Sequence, residues 1–248
     1  MPDFVIITAG GNGVRFKEFG FKKPKPFINI FGRSQVEWAI SSSILNYPNA
    51  KLIVSYRSGL WYRILVLKLR LMLRGVKIQF VDIGISTRGA SETVAKTITE
   101  ILNREQKDFS FVVADNDLAV VLSTNIDTEL IDVGLTTTIS DNPGHSYLVK
   151  NESGRVQHIA EKKRISNLGI VGNYYFRSAA DYILQYQSIE SIESIESELY
   201  ISKVIEKYLS SSYLVIASGC DRVLSFGTPD EISKLKSEDF DSFRGYND

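Results

Sequence analysis

The sequence predicts an α/β fold with a mostly parallel mixed sheet and helices on both of its faces. Short apolar runs alternate with segments of helical periodicity through the first half of the chain, and β-rich pieces dominate the second half. Of the 248 residues, 44% are hydrophobic, which is enough to bury a substantial core. Since α/β proteins often use this length for one domain, we expect a single domain.

The first half supplies strands and helices in alternation. The predicted strands are Phe4–Thr8, Lys51–Ser55, Lys77–Asp82 and Phe109–Ala114. The predicted helices are Gln35–Leu45, Leu60–Leu73 and Ser91–Leu102. Strands that alternate with helices in this way form parallel pairs, because each helix carries the chain back across the sheet. Ligands of such sheets collect beyond the carboxyl ends of the strands, where residues 10–15 and Asp115 lie.

In the second half, β-rich segments follow one another without a helix between them, which predicts a mixed sheet. Its β-rich pieces are Gly134–Ser140, Ser146–Lys150 and Arg155–Glu161, with a hairpin turn at Asn151–Gly154. The segment Gln187–Glu198 contains SIESIESIE, whose period of three rotates around a helix instead of lining one face. A solvated helix and a mobile loop both fit this repeat, and so do a lid and a plain linker. A helix is expected at Leu199–Leu209.

The predicted helix Leu60–Leu73 mixes leucines with basic residues. Its sequence, LWYRILVLKLRLML, is compatible with an amphipathic helix against a membrane or a partner chain. We favour a helix that covers the sheet and keeps its charges on the outside, and its leucines would also suit a homodimer.

A glycine-rich loop follows the first strand, where residues 4–26 read FVIITAGGNGVRFKEFGFKKPKP. Gly10, Gly11 and Gly13 have no Cβ, so the backbone can turn sharply and bring its N–H groups close to an anion. The spacing lacks the third glycine of a dinucleotide-binding fingerprint, and it also lacks the GK[ST] of a P-loop. A phosphate-binding loop and a tight strand-to-helix turn both remain compatible with these glycines.

Two cations follow the glycines and favour the phosphate-binding interpretation. Arg15 offers a planar fork suited to phosphate oxygens. Lys25 is a point charge whose approach is restricted by Pro24 and Pro26. The sequence therefore predicts a loop that holds a polyphosphate between backbone N–H groups and two side-chain cations.

Charge and composition restrict the partners. The formal net charge is zero, but Met1–Gly75 holds twelve basic and three acidic residues, so the first third is +9 and the rest is −9. A nucleotide substrate accounts for the important ones among these charges, so we expect no nucleic-acid partner. No apolar run approaches the length of a membrane span, no leader pattern is present and Cys220 is the single cysteine. We therefore expect a cytoplasmic protein with no membrane partner.

The order of the motifs resembles that of the sugar-phosphate nucleotidyltransferases. The shared motifs are GGxGxR with PKP, Gly32–Ser34, Gly89–Ser91, Val112–Asp115, Glu161–Lys162, Gly172–Phe176 and Ser225–Pro229. The likeness covers roughly Phe4 to Leu235 and is strongest to the small branch that serves capsule and surface polysaccharides.

This resemblance implies a Rossmann-like nucleotide-binding sheet of the GT-A-like type. It implies one domain over residues 1–248, with a nucleotide-binding half at 1–117 and an acceptor-phosphate half at 118–248. The implied reaction transfers a nucleoside monophosphate from a nucleoside triphosphate to a sugar 1-phosphate or a similar small phosphorylated metabolite, and releases pyrophosphate. Neither the base nor the acceptor follows from the sequence.

The resemblance also assigns roles to residues. Arg15 would stabilise the triphosphate and the departing pyrophosphate, and Lys25 would bind the region of the α-phosphate. The backbone and small residues that would bind the nucleotide are Ala9, Gly10, Gly11, Gly13, Gly89 and Ser91. Lys162 would hold the acceptor phosphate and Glu161 its hydroxyl groups, while Gly172 and Asn173 would lie against the acceptor.

Magnesium is the expected cofactor, because Mg²⁺ prefers hard oxygen ligands and bridges phosphate oxygens. Asp115, at the end of a predicted strand, is the expected first ligand. The best-known members have a second aspartate where this chain has Ser225. Asp221 is the favoured replacement because it lies near this late motif, and Asp117 is the alternative because it lies two residues from Asp115.

Two other functions remain open from the sequence. Asp115-Asn116-Asp117 also resembles the D-x-D signature of glycosyltransferases that share this type of fold. Ser225, together with Val14 where many members have Thr or Ser, is compatible with a noncatalytic nucleotide-binding protein. His145 and His158 are not at metal-ligand spacing, and we assign them to structure or surface.

Overall fold

A ten-stranded sheet forms the centre of the molecule, as a computed structural model describes it for residues 1–11, 13–123, 128–194 and 197–244. For residues 14 and 15 the backbone alone is described. The strands of this sheet are β1 (Phe4–Ala9), β4 (Lys51–Tyr56), β5 (Ile78–Asp82), β6 (Phe111–Asp115), β7 (Leu118–Leu122), β8 (Val133–Ile139), β9 (Tyr147–Lys150), β10 (Val156–Ala160), β11 (Leu168–Phe176) and β12 (Val215–Ser225). A separate small ribbon pairs β2 (Asn29–Ile30) with β3 (Arg33–Ser34).

The sheet has the strand order β5-β4-β1-β6-β11-β8-β12-β7, with β9 and β10 attached beside β11. The four strands from β5 to β6 are mutually parallel, as expected for strands joined by helices. β11 is antiparallel to both β6 and β8, and β12 is parallel to β8 but antiparallel to β7. The predicted α/β class with a mixed sheet is confirmed.

Helices cover both faces of the sheet. They are α1 (Val14–Glu18), α2 (Gln35–Asn46), α3 (Leu60–Met72), α4 (Ala90–Glu105), α5 (Ala179–Glu190), α6 (Ile201–Ser210) and α7 (Pro229–Ser233), with 3-10 turns at Lys25–Phe27 and Ser237–Phe243. Helices α4, α5 and α6 pack on the face that carries Phe4 and Ile6 of β1, and α2 and α3 pack on the face that carries Val5 and Ile7. This alternation along one strand follows from the two-residue period of β-structure.

Helix α3 covers the sheet as the sequence analysis favoured. Its buried residues Tyr62, Leu65, Val66 and Leu69 recur every three or four positions and face the core. None of the described helices is long and apolar enough to cross a bilayer.

Within the large sheet, the strands β7, β11 and β12 were not predicted from the sequence. The ribbon strands β2 and β3 and the helices α1, α5 and α7 were not predicted either. The strand β12 contains Gly219, Asp221 and Arg222 and therefore lacks an apolar period. Helix α5 ends at Glu190, inside the repeat segment Gln187–Glu198. Turns follow it, and residues 195 and 196 lie outside the described residues. The hairpin at Asn151–Gly154 is confirmed, since the Gly154 N–H donates to the Asn151 carbonyl at 3.0 Å.

Candidate active site

The ends of two parallel strands place the central carboxylate. In the register of β1 and β6, Thr8 lies beside Asp115, and the Thr8 hydroxyl donates a hydrogen bond of 3.2 Å to Asp115 Oδ1. Asp115 ends β6, so its side chain points beyond the carboxyl edge of the sheet. This is the location that the strand order predicts for a ligand site.

A second carboxylate lies next to the first. Asp117 follows in the short turn between β6 and β7, with Asn116 buried between the two aspartates. Lys25 forms an ion pair with Asp117 through Oδ2. Burial and the nearby negative charge of Asp117 raise the pKa of Asp115 to about 7, against the opposing effects of Lys25 and the Thr8 hydroxyl.

Two glycines leave the space that these carboxylates occupy. A Cβ on Gly172 would collide with the carboxylate of Asp115. A Cβ on Gly227 would lie 2.7 Å from Asp117 Oδ2. Gly172 was expected to let the backbone approach a substrate. In the structure, the space beside Gly172 is occupied by the side chain of Asp115 from the neighbouring strand β6.

One cavity, of about 440 Å³, lies against the glycine-rich loop. Its walls include Gly10, Gly11, Lys25 and Gly89, which are four of the residues expected to bind the nucleotide, as well as the two aspartates. A Cβ on Gly89 would collide with the Leu199 carbonyl, and its φ of +156° also favours glycine. We name this space the loop cavity.

The other expected nucleotide residues have different surroundings. Ala9 is fully buried in the core on the α2 side, so its side chain faces away from the loop cavity. Ser91 is also fully buried, and its hydroxyl donates to the Leu199 carbonyl at 2.8 Å, so it anchors a neighbouring segment instead of lining the cavity. Gly13 has φ +60° and lies against Lys25.

Arg15 lies in α1, directly after this loop. Its side chain lies outside the described residues, as does Asn12.

A second cavity, of about 700 Å³, also borders the aspartates. Glu161, Lys162 and Gly172 line it, as expected of acceptor-binding residues, and Ser225 lines it as well. We name it the acceptor cavity. Ala90, Asp115, Asp117 and Tyr200 line both cavities, so the two spaces meet at the carboxylates.

Contacts with α6 and the segment before it position the acceptor residues. Glu161 Oε2 accepts hydrogen bonds from the hydroxyls of Ser146 and Ser202. Lys162 has φ +50°, and its ammonium donates to the Tyr200 hydroxyl. Partial burial lowers the pKa of Lys162, but the Tyr200 hydroxyl and the charge of Glu198 outweigh it and raise the pKa.

Two expected site residues do not reach either cavity. Asn173 alternates with Gly172 along β11 and therefore faces the opposite side of the sheet, where its side-chain oxygen accepts hydrogen bonds from Tyr47 and Thr136. There it lines a separate cavity of about 170 Å³. Asp221 is exposed at a bulge of β12 between Cys220 and Arg222, which pair with Leu122 and Val121 at the far end of β7. Asp221 therefore lines neither of the cavities that Asp115 borders.

The structure also adds site residues that the sequence analysis missed. Tyr174 and Tyr200 line the acceptor cavity, and so does His145, which was assigned to structure or surface. Burial lowers the pKa of His145, although Glu231 and Asp117 raise it, and its Nδ1 has no hydrogen-bond partner among the described residues. His158 is exposed on β10. No motif marks His145 or Tyr200, because only the fold brings them to this wall.

The donor set is compatible with a divalent cation that also binds substrate oxygens. No cluster of three or more His, Cys, Asp or Glu side chains suited to a metal occurs in the part of the chain that is described. Mg²⁺ commonly uses one or two carboxylates and completes its shell with phosphate oxygens and water. Asp115 and Asp117 fit this requirement, and the only described hydrogen bond to the Asp115 carboxylate comes from Thr8.

Comparison with solved structures identifies the same fold in two enzymes. The nucleoside-diphosphate-sugar pyrophosphorylase from Vibrio cholerae RC9 is 23% identical, with a TM-score of 0.81 over 93% of this chain and 98% of that chain. The inositol-1-phosphate CTP transferase from T. maritima is 17% identical, with a TM-score of 0.75 over 98% of this chain and 95% of that chain. These similarities establish the GT-A-like fold.

Sequence comparison gives the family. No curated protein matches the chain. The family model for nucleotidyl transferases matches residues 4–222, a span that contains the glycine-rich loop, both aspartates, Glu161 and Lys162. The chain therefore belongs to the nucleotidyl transferase family.

Proposed function

We propose that this protein transfers a nucleoside monophosphate from a nucleoside triphosphate to a sugar 1-phosphate or a similar small phosphorylated metabolite, and releases pyrophosphate. We further propose that the product serves as a precursor of capsule or surface polysaccharides. The observation that carries the reaction is the meeting of two cavities at Asp115 and Asp117. Two phosphorylated substrates could then bind from opposite sides and react where the cavities join.

The proposed reaction is an in-line displacement at phosphorus. An oxygen of the acceptor phosphate forms a bond to the α-phosphorus of the triphosphate, and the bond between that phosphorus and the bridging oxygen breaks, so pyrophosphate leaves. The attacking oxygen is already ionised, so no side chain has to remove a proton. The main task of the protein is to align the two phosphates and to balance their negative charge.

Asp115 and Asp117 would hold Mg²⁺ in this proposal. When bound, the ion would supply positive charge to the phosphate oxygens during the displacement. The two carboxylates are close enough for the charge of Asp117 to raise the pKa of Asp115, which is the repulsion that a cation between them would relieve. Asp117 is the better second ligand than Asp221, because Asp117 lies beside Gly227 in the late motif that contains Ser225.

The cations would act on the phosphates. Lys25 lies in the wall of the loop cavity and compensates the charge of Asp117 in the free protein, so it is already placed beside an anionic group. We assign it to the α-phosphate and Arg15 to the β- and γ-phosphates. Gly10 and Gly11, which line the same cavity, would present backbone N–H groups to the phosphates.

Lys162 and Glu161 would bind the acceptor. Lys162 projects into the acceptor cavity from the residue after Glu161, and the pKa shift imposed by its neighbours keeps the ammonium charged. Glu161 is oriented by the hydroxyls of Ser146 and Ser202, so its carboxylate is fixed for hydrogen bonds from hydroxyl groups. A small molecule with a phosphate for Lys162 and several hydroxyl groups for Glu161 would suit this pair of residues.

The test is pyrophosphate release with Mg²⁺, using CTP, UTP, dTTP, GTP and ATP against a panel of sugar 1-phosphates and small phosphorylated metabolites. Release with one pair supports the proposal and identifies the base and the acceptor. Release must be lost in Asp115→Asn and kept in Asp221→Asn, which makes the same chemical change at an exposed position outside both cavities.

The same assay separates the other functions. Release of a nucleoside diphosphate from a nucleotide sugar would replace the proposal with a glycosyltransferase that uses Asp115-Asn116-Asp117. Tight nucleotide binding without turnover across the panel would favour a noncatalytic protein. Absence of both turnover and nucleotide binding would contradict the site itself.

A further inference from the structure

Helix α3 has a second apolar face that the fold leaves uncovered. Leu60, Ile64, Leu67 and Leu71 recur every three or four residues, so they form one stripe along the helix. Their side chains are 74%, 50%, 61% and 53% exposed, respectively. The opposite face of α3 packs on the sheet, so this stripe takes no part in the core.

Such a stripe is unusual on a soluble surface, where apolar residues normally occur singly. Four large apolar residues on consecutive turns lower solubility unless something covers them. Trp61 lies at the start of the helix and is half exposed, with one edge against Phe27 at a centroid distance of 6.1 Å. The helix therefore carries, next to the start of the stripe, a tryptophan ring, and tryptophan is enriched at membrane interfaces.

Arginines border the stripe along one side. Arg63 and Arg70 lie two turns apart on α3, and Arg74 follows just after the helix ends at Met72. We call these three arginines the basic ridge. Arg63 and Arg74 have no ion pair among the described residues, and Arg70 lies over the Phe80 ring at 5.4 Å. Lys68 borders the other side and pairs with Glu37.

Carboxylates are missing from this part of the chain. No Asp or Glu occurs between Glu37 and Asp82, a stretch that contains all of α2 beyond its first turn, β4 and α3. Half of the twelve basic residues of the first third lie in this stretch, and they are Lys51, Arg57, Arg63, Lys68, Arg70 and Arg74. The apolar face of α3 therefore lies in a segment with basic residues and no carboxylate of its own.

We infer that α3 binds the surface of an anionic lipid bilayer, with Leu60, Ile64, Leu67 and Leu71 in the acyl region and the basic ridge at the headgroups. An apolar stripe bordered by Arg and Lys is the arrangement by which helices lie in a membrane interface. A second copy of this chain fits the charges less well. Since α3 has no acidic residue, two copies packed face to face would bring basic side chains together without carboxylates from the helix.

The apolar half of the proposal is tested by flotation of the purified protein with vesicles. One set contains phosphatidylcholine alone and the other contains equal amounts of phosphatidylcholine and phosphatidylglycerol, both at low ionic strength. We expect binding to the anionic vesicles only. The variant Ile64→Gln/Leu67→Gln should lose about tenfold in affinity, because two apolar side chains leave the acyl region. Gln keeps the helix propensity of Leu, so the fold is retained.

A matched variant controls for general surface polarity. Leu184→Gln/Ile192→Gln removes one Leu and one Ile that are 59% and 74% exposed elsewhere, and it should float like the wild-type protein. Equal loss in this variant would overturn the inference, and so would failure of the wild-type protein to bind anionic vesicles. Light scattering measures the oligomeric state of the same proteins. If the wild-type protein is a dimer that does not bind vesicles, and Ile64→Gln/Leu67→Gln is a monomer, then the face binds a second copy of the chain and the inference is overturned.

The basic half is tested by Arg63→Glu/Arg74→Glu against Lys107→Glu/Arg155→Glu, which makes the same charge change at two other exposed positions. We expect the first pair to weaken binding to anionic vesicles by at least about tenfold more than the second pair. Added salt should weaken the binding of the wild-type protein, because screening acts on the headgroup attraction. Equal effects of the two charge changes would show that net charge alone is responsible and would contradict docking through α3.

Discussion

The ion pair of Lys25 with Asp117 stabilises the two carboxylates of the candidate site. Two carboxylates at the end of β6 repel each other, and the ammonium of Lys25 offsets part of that repulsion through Asp117. Asp115 has only the Thr8 hydroxyl as a described hydrogen-bond donor. In the proposed reaction, a cation bound by these carboxylates would offset the rest of their repulsion.

Asp115→Asn tests this assignment at the residue scale. The amide keeps the shape of the side chain but cannot supply the negative charge that holds a cation, so pyrophosphate release should fall at least about a hundredfold. The melting temperature should stay equal or rise, because a buried charge under repulsion is removed. Loss of activity accompanied by loss of folding would not support the metal assignment, and unchanged activity would contradict it.

The raised pKa of Asp115 gives a second prediction, on pH. A carboxyl group whose pKa is raised from 3.8 to about 7 on folding is destabilising while ionised. Its cost is present in full above about pH 7 and is relieved progressively as the pH falls from about 7 towards 3.8. The stability advantage of Asp115→Asn over the wild-type protein should therefore shrink in that window, as measured by denaturant unfolding without metal. The Mg²⁺ concentration for half-maximal activity should rise over the same window, because protons compete for the carboxylate. A pH-independent difference between the two proteins would contradict this pKa.

At the scale of one element, β11 shows what the sequence could and could not predict. The motif Gly172–Phe176 was recognised, but the strand was not, and the face of each residue depends on its register with β6 and β8. The pairing with β8 shifts between Ile170 and Tyr174. Both Gly172 and Asn173 were expected to lie against the acceptor, but only Gly172 lines the acceptor cavity, and Asn173 faces the opposite side of the sheet.

The same reason explains the choice between Asp117 and Asp221. Both lie near a motif in the sequence, and only the pairing of β12 with β7 and its bulge decide which one reaches the cavities. By contrast, the meeting of the glycine-rich loop with Asp115 was predictable, because parallel strands joined by helices bring their carboxyl ends to one edge. The sequence pattern was sufficient to place the part of the site that lies on the parallel strands β1 and β6. The part on β11 and β12 depends on their antiparallel register with distant strands, which the sequence pattern does not show.

Gly172→Ala is the prediction for this element. The added Cβ would displace the Asp115 carboxylate, so activity should fall about as far as in Asp115→Asn. Combining the two variants should cost little more than either alone, because both act on the same carboxylate. Gly219→Ala is the control, since a Cβ there meets nothing within 4 Å. Additive losses in the double variant would place the effect of Gly172 elsewhere.

For the whole molecule, the two cavities predict separable effects on the two substrates. Lys162 lines only the acceptor cavity, so Lys162→Ala should raise the KM for the phosphorylated acceptor several-fold while the KM for the nucleotide changes little. The adjacent Lys163 is exposed and lines neither cavity, and Lys163→Ala provides the matched control. Steady-state kinetics with each substrate varied in turn make the measurement. A larger change in the nucleotide KM would mean that the cavities are assigned in reverse.

The glycine beside Asp115 has a consequence for other members of this family. A Cβ on Gly172 would meet the Cβ of Asp115 as well as its carboxylate, so rotation of the Asp115 side chain alone could not make room for it. If Asp115 acts as proposed, homologues that keep the activity should keep glycine at this position. A larger residue there would mark a homologue that has lost the activity, even where its aspartate is retained.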